Sequence, residues 1–165
     1  MKLLKTFNRE GIAEEKIRDY QKESSVRVII SDKRGKIALL YSQRGDFYVI
    51  PGGGIEKREA PKEAAIRESK EETGCDVKIV REIGKTLEVR AKKETVKESL
   101  AYLAEVTGEK GAPSFKESEA SEEFLIDWSD PEKAKEKIRS NKESNNLYYN
   151  YITERDLLLL NEAFN

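Results

Sequence analysis

Three consecutive glycines, Gly52-Gly53-Gly54, follow a short β-branched run and precede a helix-forming stretch that stops at another glycine, Gly74. That punctuation fixes the middle of the chain. Residues 61–73 show no strand alternation and many helix formers, and Pro61 sits where the first turn of a helix tolerates proline. Gly74 then serves as the C-terminal cap. A strand, a glycine loop and a capped helix, in that order, let backbone approach a phosphate or a metal closely.

At about 100° per residue, Glu68, Glu71 and Glu72 fall within a sector of roughly 100° on this helix. Ala60, Ala64 and Ala65 share that side and leave room above it. Like charges at these spacings repel by roughly 0.2–0.5 kcal/mol per exposed pair, and by more when buried. A divalent cation removes the cost, and oxygen donors without His or Cys suit Mg2+ or Mn2+ rather than zinc. Arg67 adjoins Glu68 and can hold a carboxylate through a bidentate pair. A Glu/Lys-rich helix is ordinarily a solvated face. The glycine loop, Glu59 and the clustered acids together make the pattern specific.

Composition narrows the chemistry further. The 165 residues fit one domain. They include no histidine, which removes His-based general bases, Ser-His-Asp triads and His-ligated zinc. The single cysteine, Cys75, cannot form an intrachain disulfide and fits a reducing compartment. Lys plus Arg number 31 against 32 Asp plus Glu, a balance that speaks against a nucleic-acid coat or a basic membrane tail. The first residues are too briefly apolar for a signal peptide, and no segment reaches membrane-spanning length, so a cytoplasmic location is expected.

Local patterns predict strands at residues 2–7, 25–30, 36–41, 47–50, 76–82, 86–91, 98–106 and 124–128. Residues 12–23 are charged and helical or irregular, and residues 1–24 read as an N-terminal extension. A polar loop covers residues 108–121. Asp130-Pro131 starts a helix, and residues 153–164 form a last one with Thr153 and Asp156 in capping-box spacing. Strands, one central helix, more strands and then helices give an α+β class: one domain over residues 1–165, a mixed sheet with helices packed on it.

Residues 53–75, GGIEKREAPKEAAIRESKEETGC, resemble the Nudix box, G-x5-E-x7-R-E-U-x-E-E-x-G-U with U a bulky apolar residue. Gly53, Glu59, Arg67, Glu68, Glu71, Glu72 and Gly74 fill its fixed positions. Ser69 and Cys75 stand at the U positions, and Arg58 and Ala60 stand where the family often has Gly and Ser. Ala60 forgoes an N-cap side-chain bond, a cost of about 1 kcal/mol. The resemblance implies an α/β/α sandwich with a loop–helix–loop catalytic motif. It also implies Mg2+-dependent hydrolysis (Mn2+ possible) of a diphosphate linkage in a nucleoside diphosphate derivative. By position, Glu68, Glu71, Glu72 and the Gly52 carbonyl look like metal ligands, Glu59 a supporting carboxylate, and Arg67 the residue that orients Glu68.

Glu68 is the first candidate base. Family members also draw the base from a later loop, where Glu119 or Glu122 is the candidate among Glu117, Glu119, Glu122 and Glu123. Arg44, Phe47 and Tyr48 precede the glycine loop and, with Gly53, are candidate contacts to phosphate and base. The window Ala91-Lys92-Lys93 lacks the Pro or Tyr that marks some subclasses, so substrate identity is not written there. The expected partner is a small-molecule nucleotide, without membrane or nucleic acid, for a monomer or a homodimer. Two alternatives compete: a catalytically silent Nudix-like module binding a nucleotide or protein, and a charged domain gripping RNA through Lys85, Arg90, Lys92, Lys93 and Lys97.

Overall fold

A computed structural model describes residues 1–116, 122–141 and 147–164. Seven strands form one mixed sheet: β1 (Leu3–Phe7), β2 (Gln21–Ser31), β3 (Ile37–Ser42), β4 (Phe47–Val49), β5 (Val77–Arg90), β6 (Thr95–Val106) and β7 (Phe124–Ser129). Their order is β1-β5-β6-β2-β3-β4, with β7 also paired to β3. The β1–β5 and β2–β6 pairs are parallel, and the others antiparallel. The helices are α1 (Glu14–Ile17), α2 (Pro61–Thr73), α3 (Pro131–Arg139) and α4 (Leu147–Ala163).

Strand β2 explains why helices cover both faces. Its Val26, Val28 and Ile30 alternate with Ile29, and all four are buried. The first three pack with Ala64 and Ala65 of α2. Ile29 packs with Ile37, Leu39 and Ala101 against Ala134 and Ile138 of α3 and Leu159 and Leu160 of α4. The two apolar layers flank the sheet. Among the described residues, no helix is long and apolar enough to cross a membrane.

The helix at residues 61–73 has the expected bounds, and Gly74 closes it in the left-handed region at φ 69°. Several other expectations need correction. The two strands at residues 76–82 and 86–91 are one, β5, with register shifts between Ile79 and Arg81 and between Glu82 and Gly84. The glycine marks a bulge, not an end. Strands β2 and β6 begin earlier than their apolar runs, because Gln21 to Ser24 pair with Thr95 to Glu98 whatever their polarity. The last helix starts at Leu147, six residues before Thr153. Asp156 is therefore no capping residue but is fully buried inside the helix.

Beyond Ser31, which pairs with Ile37, β2 has little strand partner on its β3 side. The glycine loop takes that place. Val28 N–H donates to Pro51 O (2.8 Å), Val26 N–H to Gly53 O (2.9 Å), and Ile55 N–H to Ser24 O (3.2 Å). Ser25 and Gly54 form an isolated bridge. The loop is thus a surrogate strand on the sheet's central element.

Candidate active site

The loop's glycines answer to specific atoms. Gly52 has φ 139°, and a Cβ there would lie 2.2 Å from Val26 O, so no side chain fits. A Cβ on Gly53 would lie 2.5 Å from Glu68 Oε1, so this glycine makes room for a carboxylate. Gly52 N–H donates to Glu72 Oε2 (2.6 Å), joining loop to helix. The Gly52 carbonyl accepts from the Arg27 guanidinium, which also donates to Val26 O (2.8 Å).

The N-cap of α2 is Ala60, whose N–H donates to Glu63 Oε2 (2.9 Å), the half of a capping box that an alanine permits. Small Ala64 and Ala65 let α2 lie close to β2, and this sinks the acidic face: Glu68 is 1 % exposed and Glu72 4 %. Ser69 is buried too, its hydroxyl donating to Ala65 O (2.7 Å), so the polar residue at an aliphatic position is satisfied within the helix. Cys75 packs in the core beneath α2.

Arg67 organises the acids, with Glu59 as its bidentate partner. Nε donates to Glu59 Oε1 (2.7 Å) and Nη2 to Glu59 Oε2 (2.8 Å). Nη1 donates to Glu68 Oε1 (2.6 Å) and Glu71 Oε2 (3.2 Å), and Nη2 also reaches Gly54 O (2.9 Å). Hydrogen bonds from Arg67, against a smaller opposing effect of burial, push the Glu59 carboxyl down to about 2. The same bond to Glu59 raises the Arg67 pKa above its ordinary value.

The three candidate metal ligands do not converge here. Glu72 turns to Gly52, while Glu68 and Glu71 turn to Arg67 and to Lys116, whose ammonium lies 3.0 Å from Glu71 Oε2 and 3.5 Å from Glu68 Oε1. Among the described residues, no group of three acids is gathered as a metal cage. Burial disfavours the Lys116 charge, but the hydrogen bond to Glu71 and the field of Glu68 outweigh it and raise its pKa. Glu68 Oε2 is buried without a hydrogen-bond partner. An ammonium at two oxygens, an orphaned carboxylate oxygen beside it and an all-oxygen donor set suit a hard cation.

A cavity of about 230 Å3 opens beside Gly52 and Glu72, lined among others by Arg27, Phe47, Glu122, Phe124 and Arg155. Phe47 and Phe124 meet edge to face at 6.5 Å. Glu122 is held by Ser42 Oγ, which donates to its Oε2 (2.8 Å). Glu117 and Glu119 lie outside the described residues. Arg44 is exposed on the turn between β3 and β4. Tyr48 is not among the cavity's lining; its ring meets Tyr41 at 4.7 Å, tilted by 33°, and packs with the α3/α4 layer.

Arg27 and Arg155, absent from the candidates, line this cavity at 8 % and 2 % exposure. A charge interrupting the apolar run Val26-Arg27-Val28-Ile29-Ile30 is a signal the sequence offered for the first. Arg155 pairs with Asp156 Oδ1 (2.6 Å), and Asp156 Oδ2 accepts from Ile50 N–H (2.9 Å), tying α4 to the strand that feeds the loop. Burial, and then Arg27, Arg90 and Arg155, push Lys97 down to about 8. Lys85 pairs with Glu98 and Arg90 with Glu88, so the basic row imagined for RNA is interrupted by acids.

The NUDIX domain family profile matches residues 21–151. The chain belongs to the NUDIX family. It is 33 % identical over 81 residues to human diphosphoinositol polyphosphate phosphohydrolase 2, covering 48 % of this chain and 41 % of that one. It is 37 % identical over 62 residues to the RNA pyrophosphohydrolase of Hydrogenovibrio crunogenus, covering 38 % of each. The matches thus span about two-fifths of these relatives. The MutT protein of Methanosarcina mazei superposes with a TM-score of 0.58 at 20 % identity, over 89 % of this chain and 99 % of that one. A NUDIX hydrolase from Nitrosomonas europaea gives 0.59 at 16 %, over 82 % and 90 %. These neighbours share the fold, a mixed sheet between helices, in which the NUDIX box of this chain is the loop–helix–loop.

Proposed function

We propose that this NUDIX domain is a Mg2+-dependent pyrophosphohydrolase that cleaves the diphosphate linkage of a nucleoside diphosphate derivative. The observation that carries it is the buried acidic face of α2, set against a glycine loop and already neutralised by Arg67 and Lys116. The two curated relatives are named for different substrates but for one kind of reaction, phosphohydrolysis.

Glu68, Glu71 and Glu72 would hold the ion, with Mn2+ an alternative to Mg2+. The Gly52 carbonyl joins them only if Arg27 releases it. When bound, the ion neutralises diphosphate charge and makes a bound water more acidic. Arg67, fixed by Glu59, keeps Glu68 and Glu71 on one side of the helix. Glu68 is the first candidate to take the proton from the attacking water. Glu122 is the alternative base, at the cavity wall, and Glu119 a second. Phe47 and Phe124 offer apolar surface for the organic part of the substrate, and Arg27 and Arg155 a cationic floor.

The test is turnover of a panel of nucleoside triphosphates, ADP-ribose, dinucleoside polyphosphates, NADH and CoA, with and without Mg2+. Products are identified by mass. Cleavage of one compound that needs metal and disappears in Glu71→Gln plus Glu72→Gln is the expected result. No turnover by folded protein with Mg2+ or Mn2+ leaves a NUDIX binding module instead.

A further inference from the structure

Residues 107–116 leave β6 and cross the C-terminal end of α2. The crossing is pinned three times: Thr107 N–H to Asp76 O (2.9 Å), Gly111 N–H to Gly74 O (3.2 Å) and Ser114 N–H to Glu71 O (2.7 Å). The last bond satisfies one of the carbonyls a helix leaves open at its end. It also fixes the loop in register with α2 two residues before Lys116. From there the Lys116 ammonium reaches Glu71, Glu68 and, at 3.8 Å, Glu56.

Two cations therefore share the oxygens of Glu68 and Glu71, and they differ in exposure. Arg67 is locked on its other side by Glu59 and by Gly54 O. Lys116 is 42 % exposed and hangs on a flexible four-carbon stem, so it can withdraw while its loop stays docked. The buried Glu68 Oε2 beside it has no hydrogen-bond partner, an arrangement incomplete until another cation arrives.

We propose that Lys116 is a resident counter-ion of Glu68 and Glu71, displaced when a divalent cation binds and then engaging phosphate oxygens of the bound substrate. The inference rests on the reading that these carboxylates hold such an ion. A divalent ion brought to these two oxygens would lie against the ammonium and repel it, and of the two resident cations only Lys116 lacks the fork to Glu59. Tethered at Ser114, the displaced ammonium stays close, and the nearest new anion is the phosphate brought to the metal. Lys116 then weakens metal binding alone and strengthens metal with phosphate. Linkage makes that coupling reciprocal, so phosphate tightens the metal as much as metal tightens the phosphate.

Equilibrium binding tests this without turnover. Free Mn2+ is followed by paramagnetic resonance in wild type, Lys116→Gln and Lys116→Met, each checked for a native melt. Inorganic phosphate is then titrated into the Mn2+-loaded proteins. Both variants should bind Mn2+ about three- to fivefold more tightly, the size of one half-exposed ion pair, and phosphate more weakly by a similar factor. Unchanged or weaker Mn2+ binding in the folded variants overturns the proposal, and so does unchanged phosphate binding. If wild type binds no Mn2+ at all, the metal reading itself fails. If binding shifts as expected but no compound is cleaved, only the hydrolase reading falls.

Discussion

Arg67 and Glu59 meet fork to fork, Nε to Oε1 at 2.7 Å and Nη2 to Oε2 at 2.8 Å, across eight residues of sequence. Through this fork Glu59 holds the guanidinium that touches both Glu68 and Glu71. Arg67→Lys keeps a charge but loses the planar fork. The expected loss is about 10- to 100-fold in kcat/KM, with weaker Mn2+ binding, the scale of supporting contacts around metal ligands. Equal Mn2+ affinity in the variant would show that the fork serves folding alone.

The same pair predicts an acid sensitivity. Glu59 is held at about 2 against an ordinary 4.5, so the folded state favours its charged form. That contribution is fully present above the unfolded value. It fades as pH falls through 4.5 and is gone below about 2. Urea midpoints between pH 6 and 2.5 should therefore fall less steeply for Glu59→Gln than for wild type. Parallel curves would remove Glu59 from the acid response.

Gly53→Ala sets a methyl against the Glu68 carboxylate. Glu68 must move by more than the loop can yield, because the loop is hydrogen-bonded to β2. Activity should drop by about 100-fold, the effect of an ångström-scale misplacement at a reacting centre. The melting temperature should change little. An active Gly53→Ala protein would place the chemistry elsewhere.

Asp156 is buried and serves both Arg155 and Ile50 N–H. Asp156→Ala takes the carboxylate partner from a buried guanidinium and from a backbone donor together. The expected cost is about 3–5 kcal/mol in denaturant titration. A cost below about 1 kcal/mol, in the range of ordinary surface substitutions, would mean that the Arg155 charge has another adequate partner.

Phe47 faces the cavity. Phe47→Ala should raise KM for a nucleotide substrate about 2- to 10-fold, the worth of an aromatic contact, and leave KM for inorganic tripolyphosphate unchanged. Equal effects on both would make Phe47 a packing residue only.

The box was legible because its signals are local. Pro61, Gly74 and the spacing of Glu68, Glu71 and Glu72 are written within one helix, and the helix has those bounds. What was illegible depends on partners distant in sequence. Residues 76–82 and 86–91 read as two strands because nothing nearby shows that β5 continues past a bulge on β6. Thr153 and Asp156 matched a capping box by spacing, yet the helix had begun at Leu147 and Asp156 was needed by Ile50, more than a hundred residues earlier. The contact of Arg67 with its neighbour Glu68 is as expected, but its two-pronged contact goes to Glu59, eight residues back. Lys116 carried no signal, since its role arises only where the loop crosses α2.

The glycine loop fills the place of a strand beside β2 through the Val26 and Val28 amides. Hydrogen exchange at those two amides would then report on the loop and the sheet centre as a single opening unit. Such a unit is the least able to drift between conformers. Any adaptation of the site to what it binds then falls to its side chains, Lys116 and Phe47 among them, and not to the loop beneath them.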